Sequence, residues 1–128
     1  MSTINVIHSD EAPKAVGPYS QAVVSGGVLY ASGQIGLVPA EGRLIADDVE
    51  SQARQVTANL TAVLSEAGVS LTGILKVNIF LTDMGDFPLV NEIYAAWLGD
   101  HRPARATVEV AALPLGALVE MDLVAAVD

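Results

Sequence analysis

Arg102 and Arg105 are two of only six basic residues in a chain that carries fifteen Asp and Glu, and the window from His101 to Val108 that holds them contains no acid. A guanidinium offers a planar fork of donors that matches a carboxylate with two parallel hydrogen bonds, which an ammonium cannot do. The window therefore suits a small carboxylate; the competing account is an ordinary surface ion pair with one of the acids. Glu120 is the second residue of interest. It lies in an otherwise apolar run from Leu118 to Val127, where a carboxylate costs free energy unless it is paired or hydrogen-bonded. If 107–111 and 118–127 form a hairpin across the 112–117 loop, pairing Glu109 with Glu120 would place like charges face to face. A shift of two residues sets Thr107 opposite Glu120 and Arg105 opposite Asp122. That register predicts Arg105, Thr107 and Glu120 on one face: a carboxylate receptor beside a general acid/base, with room for a water. A structural ion pair of Arg105 with Glu120 or Asp122 is the alternative use of the same geometry.

Other candidates carry weaker signals. Tyr19, after Gly17-Pro18, could lend a hydroxyl to a pocket or merely pack with a wet tip. At Ser32-Gly33-Gln34 the glycine would let a ligand approach main-chain amides, although a bulge ending a strand accounts for it equally. Asn91 lies away from Val90 and Tyr94 on its helix, which points it to solvent. His8 and His101 are too few for a metal site, no glycine-rich phosphate loop occurs, and the absence of cysteine excludes thiolate chemistry and disulfides. No nucleotide or metal cofactor is expected.

The elements that must position these residues read in order. Ile4–Ile7, Gln21–Ser25 and Val28–Ser32 are strand candidates, with Gly26-Gly27 as a hairpin turn and Gly33 and Gly36 marking a bulge or close approach. Asp47 and Glu50 have capping-box spacing, and Gly68 stands where a helix ends. Between them Val49, Ala53, Val56, Leu60, Val63 and Ala67 recur at helical spacing, with Gln52, Arg54, Gln55, Asn59 and Glu66 elsewhere on the wheel. In the strand from Ile74 to Thr82, Leu75, Val77, Ile79 and Leu81 should share one face. Asp86 is read as the cap of a second helix ending at Gly99, with Phe87, Val90, Tyr94 and Trp97 inward. In the last strand Leu118, Glu120, Asp122 and Val124 alternate with Val119, Met121, Leu123 and Ala125. The order ββ(β)αβαββ implies an α+β sandwich with both helices on one face of a sheet.

At 128 residues and 13.3 kDa the chain has the length of one domain, 1–128. With 52% apolar and 16% charged residues it has more apolar side chain than a small monomer hides, which predicts a subunit interface. A net charge of −9 and scattered basic residues argue against nucleic acid. No apolar run reaches membrane-spanning length and the start has no signal-like pattern, so no membrane partner and a cytoplasmic location are expected.

Several segments resemble the RidA/YjgF family of enamine/imine deaminases: Gly17-Pro18-Tyr19-Ser20-Gln21, Ala31-Ser32-Gly33-Gln34-Ile35, Val90-Asn91-Glu92-Ile93-Tyr94, and the block from Arg102 to Val110 with Leu113-Pro114 and Val119-Glu120. The likeness runs in order along nearly the whole chain. It implies a chorismate-mutase-like homotrimer with pockets between subunits, hydrolysing imines of 2-oxo acids such as 2-iminopropanoate (from 2-aminoacrylate) and 2-iminobutanoate to 2-oxo acid and ammonia, without a cofactor. By resemblance, Arg105 grips the substrate carboxylate, Glu120 activates water with the main-chain carbonyl of Thr107, and Tyr19, Ser32, Gly33 and Asn91 line the pocket. Several members carry Cys where this chain has Thr107, so thiol-dependent behaviour does not transfer. The alternative is a non-catalytic module that binds 2-oxo or 2-imino acids, or a partner enzyme, through the same pocket; the RNA cleavage attached to some relatives conflicts with the charge.

Overall fold

The structure, a computed structural model, describes residues 3–128; Met1 and Ser2, where the chain's start was read for a signal, lie outside the described residues. Strands β1 (Asn5–Ile7), β2 (Ala22–Ser25) and β3 (Val28–Gln34) are followed by helix α1 (Val49–Glu66), strand β4 (Ile74–Leu81), helix α2 (Phe87–Leu98) and strands β5 (Ala104–Glu109) and β6 (Val119–Ala126). They form one six-stranded sheet in the order β1-β2-β3-β6-β4-β5, antiparallel except for the parallel pair β4 and β5. Gly26 and Gly27 both take positive φ, +60° and +78°, as the tight turn between β2 and β3 requires.

The helices share a face for a topological reason. β3 and β4 both run antiparallel to β6, so they are parallel to each other, and β4 is parallel to β5. The chain therefore makes two crossovers in the same direction across the sheet, and right-handed crossovers of that kind lay their helices on one side. Between helices and sheet lie Ala53, Val56, Leu60 and Val63 of α1, Val90 and Tyr94 of α2, and Leu29, Val77, Ile79, Leu81, Met121 and Leu123 of the sheet, all 5% exposed or less. The expected alternation in β6 is present, with Val119, Met121, Leu123 and Ala125 buried under the helices and Glu120, Asp122 and Val124 on the open face.

Local expectations shift in four places. The cap of α1 is Asp48 rather than Asp47: its carboxylate accepts from the Ser51 amide at 2.8 Å, so Glu50 makes no capping box, while Gly68 closes the helix with the Val69 amide bonded back to Leu64. Asp86 precedes α2 without capping it; Asp83 turns the chain instead, accepting from the Gly85 amide. A bulge between Ile74 and Lys76 turns Leu75 outward, leaving it 48% exposed, while Ile74 is buried in its place. Gln52 and Asn59 are buried, not on a polar face. Gln52 ties the Leu118 amide to the Ala46 carbonyl, and Asn59 donates to the carbonyls of Ile35 and Leu37. They satisfy loop backbone that passes over the helix where no strand can.

The accessible surface, 6771 Å², is close to the roughly 6,500 Å² expected for a compact monomer of this mass. Several large apolar side chains are nonetheless left on the outside. On the face away from the helices Val6 is 64% exposed, Tyr30 51% and Val108 47%.

Candidate functional site

The hairpin expected between the last two strands does not form. β6 lies in the middle of the sheet with both edges taken, by β3 and β4, so β5 pairs with β4 alone. This reverses the relation between the two principal residues. Val77, Ile79 and Leu81 of β4 stand opposite Arg105, Thr107 and Glu109 on one side and Leu123, Met121 and Val119 on the other. Residues directly opposite share a face, so Arg105 and Thr107 point to the helix side. Glu120 stands opposite Phe80, which stands opposite Val108, on the open side. Within one chain Arg105 and Glu120 diverge from opposite faces of the sheet, two strand spacings or about 9.5 Å apart laterally. Neither Arg105–Asp122 nor Thr107–Glu120 is a pair; Asp122 accepts from Asn78 at 2.8 Å.

Each residue has its own surroundings. Arg105 lies against one stripe of α2, because Phe87, Asn91 and Tyr94 follow one another at helical spacing. Its Nη1 donates to Asn91 Oδ1 at 2.6 Å, and its guanidinium carbon is 5.2 Å from the Phe87 ring centroid and 5.0 Å from that of Tyr94. Asn91 thus faces the arginine rather than open solvent. A recess of about 490 Å³ opens here, lined by Asn91, Tyr94, Ala95, Arg102, Pro103 and Arg105. Arg102 donates to the carbonyls of Gly99 and His101. Among the described residues neither arginine pairs with an acid, so the ordinary ion-pair account does not hold and the recess keeps its positive charge. Two hydroxyls beside it, Tyr94 Oη and Thr107 Oγ1, are buried without a hydrogen-bond partner among the described residues. Burial raises the Tyr94 phenol above its ordinary range, against the opposing pull of Arg105 and then Arg102.

Glu120 looks into a different cleft, of about 630 Å³, with Tyr19, Gly33, Gln34, Ile35, Pro114 and Leu115 among its walls. Gly33 lies in the bulge between Ala31 and Gln34, and a Cβ on it would sit 2.8 Å from Glu120 Oε2. The glycine is there because the carboxyl lies on its backbone. Burial, and then the neighbouring charge of Asp122, raise the Glu120 carboxyl above the usual carboxylate range. Ser32 is committed elsewhere: its hydroxyl donates to the Ser20 carbonyl at 2.6 Å and its amide to the Gln21 carbonyl, which moors the Gly17–Ser20 turn that carries Tyr19. Glu120, Gly33 and Tyr19 come together on one cleft, and Arg105 and Asn91 in the other. Sequence reasoning missed Phe87 and Tyr94 as neighbours of Arg105, although their spacing to Asn91 was visible.

The chain matches the model of a family described as Endoribonuclease L-PSP over residues 9–127. It belongs to this family, the RidA/YjgF group. Among relatives, Protein DfrA of Myxococcus xanthus is 50% identical over 121 residues, covering 93% of this chain and 92% of that protein. The protein of Homo sapiens named 2-iminobutanoate/2-iminopropanoate deaminase is 43% identical over 120 residues, 94% of this chain and 88% of its own length. Among solved structures, YyfA of Yersinia pestis, described as a protein of unknown function of the conserved Rid family, superposes with a TM-score of 0.96 at 48% identity, covering 98% of this chain and all of that one. The RidA/YjgF match confirms the α+β arrangement of a mixed sheet with two helices. No helix among the described residues is long and apolar enough to cross a membrane.

Proposed function

We propose that this chain is a 2-imino acid deaminase working as a homotrimer of chorismate-mutase-like protomers, each a single domain over 1–128, in which Arg105 of one subunit and Glu120 of a neighbour close on one small ligand. The observation that carries the reading is the opposed placement of an acid-free guanidinium and a half-buried carboxyl of raised pKa, neither of which has a partner of opposite charge among the described residues. On the open face of the sheet the exposed Val6, Tyr30 and Val108 supply apolar surface that neighbouring copies would cover. The deaminase name of the human relative gives the reaction class.

In this account Arg105 takes the substrate carboxylate with the donors that Asn91 leaves free. The C=N carbon is already electrophilic, so the site needs only to place it, supply water and move protons. Glu120, with the main-chain carbonyl of Thr107, holds the water and accepts its proton as oxygen attacks C2. The proton passes to nitrogen to complete a carbinolamine, whose hydroxyl proton is transferred through Glu120 to the departing amine as the C–N bond breaks, and a 2-oxo acid and ammonia leave. Tyr19 and Gly33 shape the wall beside Glu120, and Ser32 acts by mooring the Tyr19 turn. No cofactor takes part, and the substrates are imines such as 2-iminopropanoate and 2-iminobutanoate, from 2-aminoacrylate and related species, in the cytoplasm. RNA hydrolysis is disfavoured by the net charge of −9, since a polyanion would be repelled.

Imines generated in place by an amino acid oxidase, with semicarbazide competing for them, provide the test. The protein should speed 2-oxo acid formation, and Arg105→Ala should lose about 100-fold, the scale of removing one partner of a charged, hydrogen-bonded pair. No acceleration, or an Arg105→Ala variant as fast as the parent, would sink the proposal.

A further inference from the structure

We propose that Phe87 and Tyr94 are positioning residues, an aromatic clamp that fixes the plane of the Arg105 guanidinium so that its donor edge is presented to a carboxylate. The clamp deepens the deaminase reading, and its substrate arm rests on that reading. Phe87, Asn91 and Tyr94 form one stripe of α2, and all three face the same guanidinium: the two rings within cation–π range at 5.2 and 5.0 Å, and Asn91 through the 2.6 Å hydrogen bond to Nη1. An exposed arginine has several rotatable bonds, so an unsupported fork would sample many orientations. Two ring faces under its central carbon favour the cation there, and the amide oxygen on Nη1 further restricts how it turns. The Tyr94 ring is itself anchored. Tyr94 is 5% exposed and meets Trp97 edge to face at 6.2 Å, and Trp97 donates its indole N–H to Thr61 of α1. The plane of the fork is thus referred to the helix pair rather than to the edge strand that carries Arg105.

The Tyr94 hydroxyl, buried without a hydrogen-bond partner among the described residues, contributes nothing visible to this arrangement; the ring face does. Tyr94→Phe should therefore preserve the clamp, and Tyr94→Leu should break it.

The experiment has two arms, each on the full chain. In the first, ¹⁵N-arginine NMR of the ligand-free protein reads the ring-current shift of the Arg105 side chain, assigned through Arg105→Ala. The shift should persist in Tyr94→Phe and be lost in large part in Tyr94→Leu and Phe87→Leu. In the second, 2-oxobutyrate binding is measured by calorimetry and imine turnover by steady-state kinetics. Each Leu variant should raise Kd and KM about two- to five-fold, the range for a cation–π contact near solvent, with kcat little changed. Unaltered Arg105 resonances and binding in the Leu variants would overturn the clamp, and so would a Tyr94→Phe variant as impaired as Tyr94→Leu. If Tyr94→Leu does not fold, Phe87→Leu decides, since Phe87 is only half-buried. If the parent protein neither binds the 2-oxo acid nor turns over imines, the deaminase reading fails, while the NMR arm still reports on the clamp.

Discussion

Replacing Gly33 with alanine probes the Glu120 cleft with a single methyl group. The added Cβ would lie 2.8 Å from Oε2, 2.9 Å from Cδ and 3.3 Å from Cγ of Glu120. Ordinary carbon–oxygen contact begins near 3.3 Å, so the carboxyl must retreat by about half an ångström. Gly33 does not have positive φ, so alanine introduces no backbone strain, and the atoms met belong to the end of a flexible side chain. Folding stability should therefore change by less than about 1 kcal/mol, with the restricted unfolded chain offsetting part of the contact cost. Catalysis is less forgiving, because a displacement of this size at a reacting group costs about 10- to 100-fold. The expectation is a kcat lowered by that factor, a melting temperature within a few degrees of the parent, and a smaller change in 2-oxobutyrate affinity than in kcat, since the carboxylate is held by Arg105 rather than by Glu120. Steady-state imine turnover, thermal melts and calorimetry read the three quantities. An unchanged kcat would refute the claim that the carboxyl works from its place on Gly33.

Three further outcomes follow from the structure. Glu120 has a raised pKa in the folded state, so its contribution to stability is fully present below its unfolded pKa and is lost as pH rises through the folded value. Glu120→Gln should accordingly melt higher than the parent at pH 7 and converge with it near pH 4, while kcat/KM of the parent falls as acidification protonates the base, beginning above the ordinary carboxylate range; pH-dependent melts and rates check both. Gln52→Leu leaves the Leu118 amide and the Ala46 carbonyl without their partner and should lower stability by about 2 kcal/mol in denaturant unfolding.

What could be read in the sequence was local. The Gly26-Gly27 turn, the apolar stripe of α1, the bulge at Gly33 and the alternation of β6 all depend on neighbours a few residues apart, and all are present. Alternation also shows that Arg105 and Thr107 share a face and that Glu120 and Asp122 share one. It carries no information on whether those faces are the same, because that depends on which strand intervenes. β4, inserted between β5 and β6, reverses the answer. The polarity of the strands held a clue: β5 carries Arg105 and Glu109 and suits a sheet edge, whereas β6 buries four apolar residues and suits the centre. Gln52 and Asn59 were hidden for another reason. Their type reads as solvent-facing, and only the course of the 35–46 loop over α1 shows that they are needed inside.

The central claim is that each site draws Arg105 and Glu120 from different chains, and subunit mixing tests it most directly. Arg105→Ala and Glu120→Gln proteins, each inactive alone, are unfolded together in equal amounts and refolded. If the residues come from neighbouring subunits of a symmetric ring, random assembly leaves about one quarter of the sites with both functional groups, and about a quarter of parental imine turnover should return. If turnover stays at the level of the separate variants although mixed oligomers have formed, the site lies within one chain and the account is wrong.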